Sequence, residues 1–216
     1  MILSIHIPKT AGSSFRGILA QVFGPDLLLK YWEMTDAAGK VITTIPRSVR
    51  CIHGHFVPEA LLPQFPNATL ITWVRDPVER IASCYAHVLR QPDWRHPMHR
   101  QVHEKGLSLL QFAGLEPMRN EIAHYLNGRR PADFRFIGLT EQFAASLRRF
   151  FKRLALAPIA AEAMQENANP DRPEARYSLD DDTRRKIAAL NERDMDLYAD
   201  CCRMVAERER HLARVA

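Results

Sequence analysis

Ile2-Leu3-Ser4-Ile5-His6-Ile7-Pro8-Lys9-Thr10-Ala11-Gly12-Ser13-Ser14-Phe15 is the stretch on which the fold turns. Residues 2–7 are a short apolar run closed by Pro8, the pattern of a buried strand. Residues 14–23 then place Phe15, Ile18, Leu19 and Val22 at helical spacing. The residues between them join strand to helix, which is where a phosphate-binding loop sits. Backbone N–H groups at a helix N-terminus point at an anion, and the helix dipole favours its charge. Gly12 permits close approach of the backbone, Ser13 and Ser14 can cap the helix and offer hydroxyls, and Lys9 supplies a mobile positive charge. The same residues also suit a plain strand–helix turn. The loop departs from GxxxxGK[ST], because Lys precedes the single Gly, and this disfavours an ordinary ATP-dependent kinase.

Working outward, strand-like and helix-like segments alternate. Residues 49–53 read as a second short strand, and residues 68–75, β-branched and aromatic, as the clearest one. Asp76 then suits an N-cap, Pro77 the first helical position and Glu79 a capping box. Val78, Ile81, Ala82, Tyr85, Val88 and Leu89 form the stripe of that helix. Residues 91–105 are polar, with Pro92, Pro97 and several histidines, and read as a loop or insertion. Residues 107–127 are expected as two helical pieces broken by Gly114 and Pro117, 134–138 as a strand, and 141–155 as a helix. A long loop over 165–177 and one long helix over 180–213 complete the chain, the latter with Ile187, Leu190, Leu197, Cys201 and Val205 on one stripe. The pattern predicts a three-layer α/β fold, a parallel sheet with helices on both faces, in one domain over residues 1–216.

Composition narrows the class. With 46% hydrophobic and 25% charged residues among 216, the chain suits a globular domain and excludes a disordered tail, a collagen-like fibre or a disulfide-dense miniprotein. No run approaches ~18 apolar residues, so no membrane span is expected. The N-terminal run is too short for a secretory signal and lacks a basic leader, so a cytoplasmic location is expected. Cys51, Cys84, Cys201 and Cys202 show no CxxC spacing and read as free thiols rather than disulfides or zinc ligands. The net charge of +5 favours an anionic partner without choosing one. No nucleic-acid-binding motif is present.

Three segments together carry a family resemblance. His6 to Phe15 closely resembles the 5′-phosphosulfate loop of sulfotransferases, which use 3′-phosphoadenosine 5′-phosphosulfate (PAPS). Trp73-Val74-Arg75-Asp76-Pro77-Val78-Glu79-Arg80-Ile81-Ala82-Ser83 resembles the family's 3′-phosphate motif, in which an Arg ends a strand and a Ser follows on the next helix. Cys51-Ile52-His53-Gly54-His55-Phe56 is similar to the HGH segment of carbohydrate sulfotransferases nearest to heparan sulfate 2-O-sulfotransferase. Weaker likeness extends through Phe136–Phe143 and Leu190–Tyr198, so it spans nearly the whole chain. The NxQTR stretch of many relatives reads Asn120-Glu121-Ile122-Ala123-His124 here.

The resemblance implies the sulfotransferase fold, a P-loop-like site, PAPS as donor and no metal. Lys9 would then stabilise the leaving bridging oxygen. The backbone of Thr10, Ala11, Gly12, Ser13 and Ser14 would cradle the 5′-phosphate and sulfate, and Arg75 and Ser83 would bind the 3′-phosphate. Otherwise Arg75 reads as an ion pair with Asp76 or Glu79, and Ser83 as a bland helix position. A hydroxyl acceptor must lose its proton, and His55 is the candidate general base. His53 lies on the same side of an extended segment and can orient His55 or bind the acceptor. Both also suit structural histidines, and HxH is a metal-ligand spacing with no third ligand near in sequence.

His96, His99 and His103, with Arg90, Arg95, Arg100 and Lys105, form either a solvated basic loop or a cleft wall where Trp94 stacks on a sugar. Arg129, Arg130, Arg135, Arg148, Arg149, Lys152 and Arg153 form a second basic run, in part the wet face of a helix. Arg172 can close over the nucleotide or be a plain loop arginine. The expected activity is sulfuryl transfer to the hydroxyl of a glycan or small molecule. The alternatives are an ATP-dependent phosphotransferase and a non-catalytic nucleotide or polyanion binder.

Overall fold

Alternating burial builds the centre of the molecule. In the computed structural model, which describes residues 1–158 and 176–215, Leu3 and Ile5 of β1 (Ile2–Ile5) are fully buried. β1 lies parallel to two neighbours, β4 (Cys51–Gly54) and β5 (Thr69–Val74). With β2 (Leu27–Lys30), β3 (Met34–Asp36) and β6 (Phe136–Leu139), they form one sheet in the order β3-β2-β4-β1-β5-β6.

Helices α1 (Gly12–Phe23) and α6 (Phe143–Arg153) cover one face, packing Phe15, Ile18, Leu19 and Phe150 on Cys51, Ile71, Trp73 and Phe136. On the other face α5 (Glu121–Leu126) and α8 (Glu192–Val215) set Ile122, Leu126, Cys201 and Val205 against Leu3, Ile5, Ile52 and Ile137. Beside the sheet, α2 (Pro77–Arg90), α3 (Pro97–Lys105), α4 (Leu109–Ala113) and α7 (Asp181–Leu190) share a core around Ile81, Val88, Val102, Phe112 and Ile187. The three-layer α/β architecture is thus as expected.

Four local expectations are corrected. The sheet is not wholly parallel, since β3 runs antiparallel to β2, and neither strand is marked in the sequence. Residues 91–105 are not all loop: His96 Nδ1 accepts the Met98 amide at 3.3 Å, Pro97 opens α3, and Gly106, at φ 57°, ends it. The long C-terminal helix is two, α7 and α8, broken at Asn191. The first helix begins at Gly12 rather than at residue 14. The break expected within 107–127 falls between α4 and α5, with a 3₁₀ turn at Glu116–Met118. Arg172 and most of the loop 165–177 lie outside the described residues. All four cysteines are free thiols, and among the described residues no helix is long and apolar enough to cross a membrane.

The connectivity positions the site. The chain runs from β1 to β2, leaves a slot that β4 fills, then crosses to β5 on the other side of β1. In open α/β sheets, ligands bind beyond the carboxyl ends of the strands where the order reverses in this way. The residues that leave that edge are His6 after β1, Tyr31 after β2, His55 after β4 and Arg75 after β5.

Candidate active site

The loop from β1 to α1 is held in an uncommon backbone shape. Lys9 (φ 66°) and Ala11 (φ 68°) are both left-handed without being glycine, a conformation that costs on the order of 1–3 kcal/mol and clusters at functional sites. The fully buried Thr10 fixes the turn by donating its hydroxyl to the Ile7 carbonyl at 2.7 Å. Ala11 is the N-cap and makes no side-chain bond, so Ser13 and Ser14 do not cap α1; they sit inside its first turn. The first bond of the helix runs from the Phe15 amide to the Ala11 carbonyl at 3.0 Å. The amides of Gly12, Ser13 and Ser14 have no carbonyl one turn back within the helix. Gly12 is required by proximity: a Cβ there would lie 1.6 Å from His6 Nε2.

Cations converge on this loop. Arg75, 5% exposed, donates Nη1 to the Lys9 carbonyl at 3.3 Å, joining the end of β5 to the loop. The Arg75 guanidinium also lies 4.0 Å from Glu79 and 5.9 Å over the Tyr177 ring. Glu79 in turn accepts the Tyr177 amide and Arg184 Nη2, each at 3.0 Å, which holds residues 177–184 against α2. Ser83 is buried one turn further along α2 from Glu79. Burial is the main cause that lowers the Lys9 pKa; Cys84 opposes it, and the charges of Arg75 and Arg90 add smaller downward shifts. Among the described residues no carboxylate pairs with Lys9.

Three imidazoles stack beside the loop. The His6 ring lies 5.1 Å from His53 and 4.4 Å from His55, close to parallel with both. Tyr31 meets the His55 ring edge-on at 4.8 Å, and its hydroxyl is 3.1 Å from His6 Nδ1. Tyr125 of α5 stands 6.1 Å from His55 on another side. His55 Nδ1 donates to the His6 carbonyl at 2.6 Å, which fixes the tautomer and leaves a lone pair on Nε2. Burial lowers the pKa of His55, with the His6 carbonyl opposing. Burial first, then the neighbouring imidazoles, hold His6 well below the ordinary value. His53 is pushed down to about 3, mainly by burial. The stack is therefore neutral at pH 7. Gly54 lets β2 approach β4 here, because a Cβ there would lie 1.8 Å from the Lys30 carbonyl oxygen.

The structure thus brings Lys9, the backbone of Thr10–Ser14, Arg75 and His55 to one edge of the sheet. His53 does not open on the cleft as expected of an acceptor contact. It is 1% exposed, its Nδ1 lies 2.9 Å from Ser4 Oγ, and its link to His55 runs through the His6 ring. His6 and Tyr31 are the site residues that sequence reasoning missed. The available signal was register: Ile5 pairs with Gly54, so the next residues, His6 and His55, come side by side. The Asn120 region serves the scaffold. Asp194 of α8 accepts the amides of Ile122 and Ala123 at 2.9 and 2.8 Å, and Asn191 accepts the Asn120 amide at 2.9 Å. Buried Arg80 pairs with Glu121 and donates to the Met118 carbonyl at 3.2 Å, anchoring the same helix start.

Fold and site define the class: an α/β protein with an amide-lined, cation-flanked loop at the sheet's switch point and a neutral imidazole beside it. The family follows from the sequence, whose residues 1–199 match the sulfotransferase family profile; the chain belongs to that family. It is a sulfotransferase, acting on a hydroxyl-bearing acceptor, and PAPS is the donor this family generally uses. A solved sulfotransferase from Alicyclobacillus acidocaldarius is 16% identical, with a TM-score of 0.47 over 94% of this chain and 95% of that one. Mouse sulfotransferase SULT7A1 complexed with PAP is 14% identical, with a TM-score of 0.42 over 88% of this chain and 82% of that one. No curated protein matches the sequence.

Proposed function

We propose that this enzyme transfers the sulfuryl group of PAPS to a carbohydrate hydroxyl, with His55 as general base. The observation that carries the base assignment is the 2.6 Å bond from His55 Nδ1 to the His6 carbonyl, which leaves Nε2 as the proton acceptor. The residues present fit the donor. The amides at the start of α1 suit a 5′-phosphosulfate, Lys9 stands beside them with no carboxylate partner among the described residues, and Arg75 and Ser83 suit a 3′-phosphate. PAPS, when bound, supplies an electrophilic sulfur and a phosphate leaving group.

His55 Nε2 takes the acceptor's hydroxyl proton as the acceptor oxygen bonds to sulfur. Lys9 meets the negative charge that moves onto the bridging oxygen as the S–O bond breaks. Arg75 anchors the nucleotide end, so that attack and departure stay in line. The aromatic rings of Tyr31 and Tyr125 around His55 favour a sugar as acceptor.

Calorimetric titration with 3′,5′-adenosine bisphosphate, beside ADP and AMP, tests the donor. Micromolar binding to the bisphosphate, much tighter than to ADP and lost in Arg75→Ala, is expected. No preference for the 3′-phosphate overturns the donor assignment.

A further inference from the structure

A cavity of about 210 Å³ lies away from the donor cleft, lined by the beginning of β6 and by α6 and α8. β6 is an edge strand, and Arg135 and Phe136 stand at its amino end, whereas the donor cleft is at the carboxyl ends of the strands. Phe136, Ile137 and Val205 give the cavity a mostly apolar lining, extended by the aliphatic stems of the side chains around it.

Those side chains are overwhelmingly cationic: Arg135, Arg149, Lys152, Arg153 and Arg208, against the single carboxylate of Glu209. Glu209 is already paired with Arg149, whose Nη2 also donates to Ser146 Oγ at 2.6 Å. Arg153 Nε donates to the Arg135 carbonyl at 3.2 Å, and Arg208 lies 3.4 Å from the Phe134 carbonyl. Among the described residues, Arg135, Lys152, Arg153 and Arg208 have no carboxylate partner. Their mutual repulsion is visible at Arg208, whose pKa is lowered by burial and by Arg153 and Arg135. Like charges gathered around a concave apolar surface are relieved by a ligand that brings a counter-charge and covers that surface.

We propose that this cavity binds a small amphiphilic anion. A short apolar tail occupies the pocket between α6 and α8, and one sulfate, phosphate or carboxylate head sits among Arg135, Lys152, Arg153 and Arg208. Size and lining select this class. The volume falls below the ~300–1,000 Å³ of pockets that take drug-sized ligands. A polyanion would track an open polar stripe, and a nucleobase would need side-chain acceptors beyond the single carboxylate of Glu209, which Arg149 already holds.

The test is calorimetry of the full chain with octyl sulfate below its micelle concentration, beside octanol and inorganic sulfate. Each titration is run with and without 3′,5′-adenosine bisphosphate to separate this cavity from the donor cleft. Octyl sulfate is expected to bind with the bisphosphate present, at least tenfold tighter than octanol or sulfate. Lys152→Glu and Arg208→Glu should each weaken it at least tenfold and leave bisphosphate binding unchanged. Lys152 is exposed on α6, so its variant keeps the fold even where Arg208→Glu does not. Octanol binding as tightly would leave an apolar hole with no anion specificity, and sulfate binding as tightly a charge patch with no tail site. Either result, or octyl sulfate binding that both variants leave intact, overturns the proposal.

Discussion

Replacing His55 with alanine probes the chemistry most directly. The His6 carbonyl takes the Nδ1 proton at 2.6 Å, so Nε2 carries the lone pair, and burial keeps the ring neutral at pH 7. A positioned general base contributes ~10²–10⁴-fold to turnover. That corresponds to about 3–5 kcal/mol at the transition state. His55→Ala should therefore lower kcat by this factor, while the Kd for 3′,5′-adenosine bisphosphate stays the same, because the imidazole meets the loop segment at the His6 carbonyl and not at the amides of α1. His55→Gln is the sharper variant. Its amide N–H can still reach the His6 carbonyl, but it has no basic lone pair, so it should be as slow as alanine. The pH profile carries a sign. Protonated His55 cannot accept a proton, and its pKa lies below the ordinary ~6.5. Hence kcat/KM should be flat near neutrality and fall tenfold per unit on the acid side, bending below ~6.5. Initial rates across pH, with calorimetry on each variant, decide the matter. Full turnover in His55→Ala, or an acid limb centred above the ordinary histidine value, refutes the assignment.

Three further outcomes are expected. Gly12→Ala places a methyl group 1.6 Å from His6 Nε2, so ring or loop must move; overpacking of this kind costs roughly 1–3 kcal/mol. A thermal melt and a rate assay should both show the loss, and an unchanged Tm with unchanged kcat contradicts it. Asp194→Ala strips the amides of Ile122 and Ala123 of their acceptor in a buried place, a loss of about 1–3 kcal/mol per unsatisfied group. The urea midpoint should fall, whereas an unaltered midpoint shows that water replaces the carboxylate. His53 binds its proton at about 3 in the folded chain and near ~6.5 when unfolded, so its contribution is intact above ~6.5 and declines as pH drops toward 3. The slope approaches ~1.4 kcal/mol per pH unit for this one group. Urea melts over that range should be shallower in His53→Gln, and identical slopes rule the explanation out.

What could be read from the chain beforehand follows from how each feature is encoded. β1, β4, β5 and α2 are written locally: apolar runs bounded by Pro or Asp, and an Asp76 cap that accepts the Glu79 amide at 3.0 Å. β2 was hidden because Leu27–Lys30 follows α1 almost directly, separated only by the turn Gly24–Asp26. β3 is three residues with no apolar alternation, and pairing with β2 alone makes it a strand. α3 buries only Val102, so its stripe was too thin to see against the histidines and arginines. The break between α7 and α8 has neither Gly nor Pro. It rests on Asn191, whose side chain donates to the Ile187 carbonyl at 3.0 Å and accepts from Asn120, a contact 71 residues away in sequence. In the site, motif residues were legible one by one. That His6 stands between His53 and His55 was not, because only the pairing of β1 with β4 brings them together.

That pairing has a consequence for how such an enzyme can change over generations. The His6 amide donates to the Gly54 carbonyl at 2.8 Å, immediately before His55 donates to His6. The orientation of the imidazole is thus tied to the backbone bonds of the sheet, with His6, Tyr31 and Tyr125 packed around the ring. The mostly exposed stretches 37–41 and 91–95 lie outside those backbone bonds and can be recharged or replaced without touching them. On the proposed reading of His55 as the base, the fold in this way keeps two heritable properties apart: how readily a proton is taken, and from which molecule. Drift in the second leaves the first intact, and a new acceptor can be tried without rebuilding the site that acts on it.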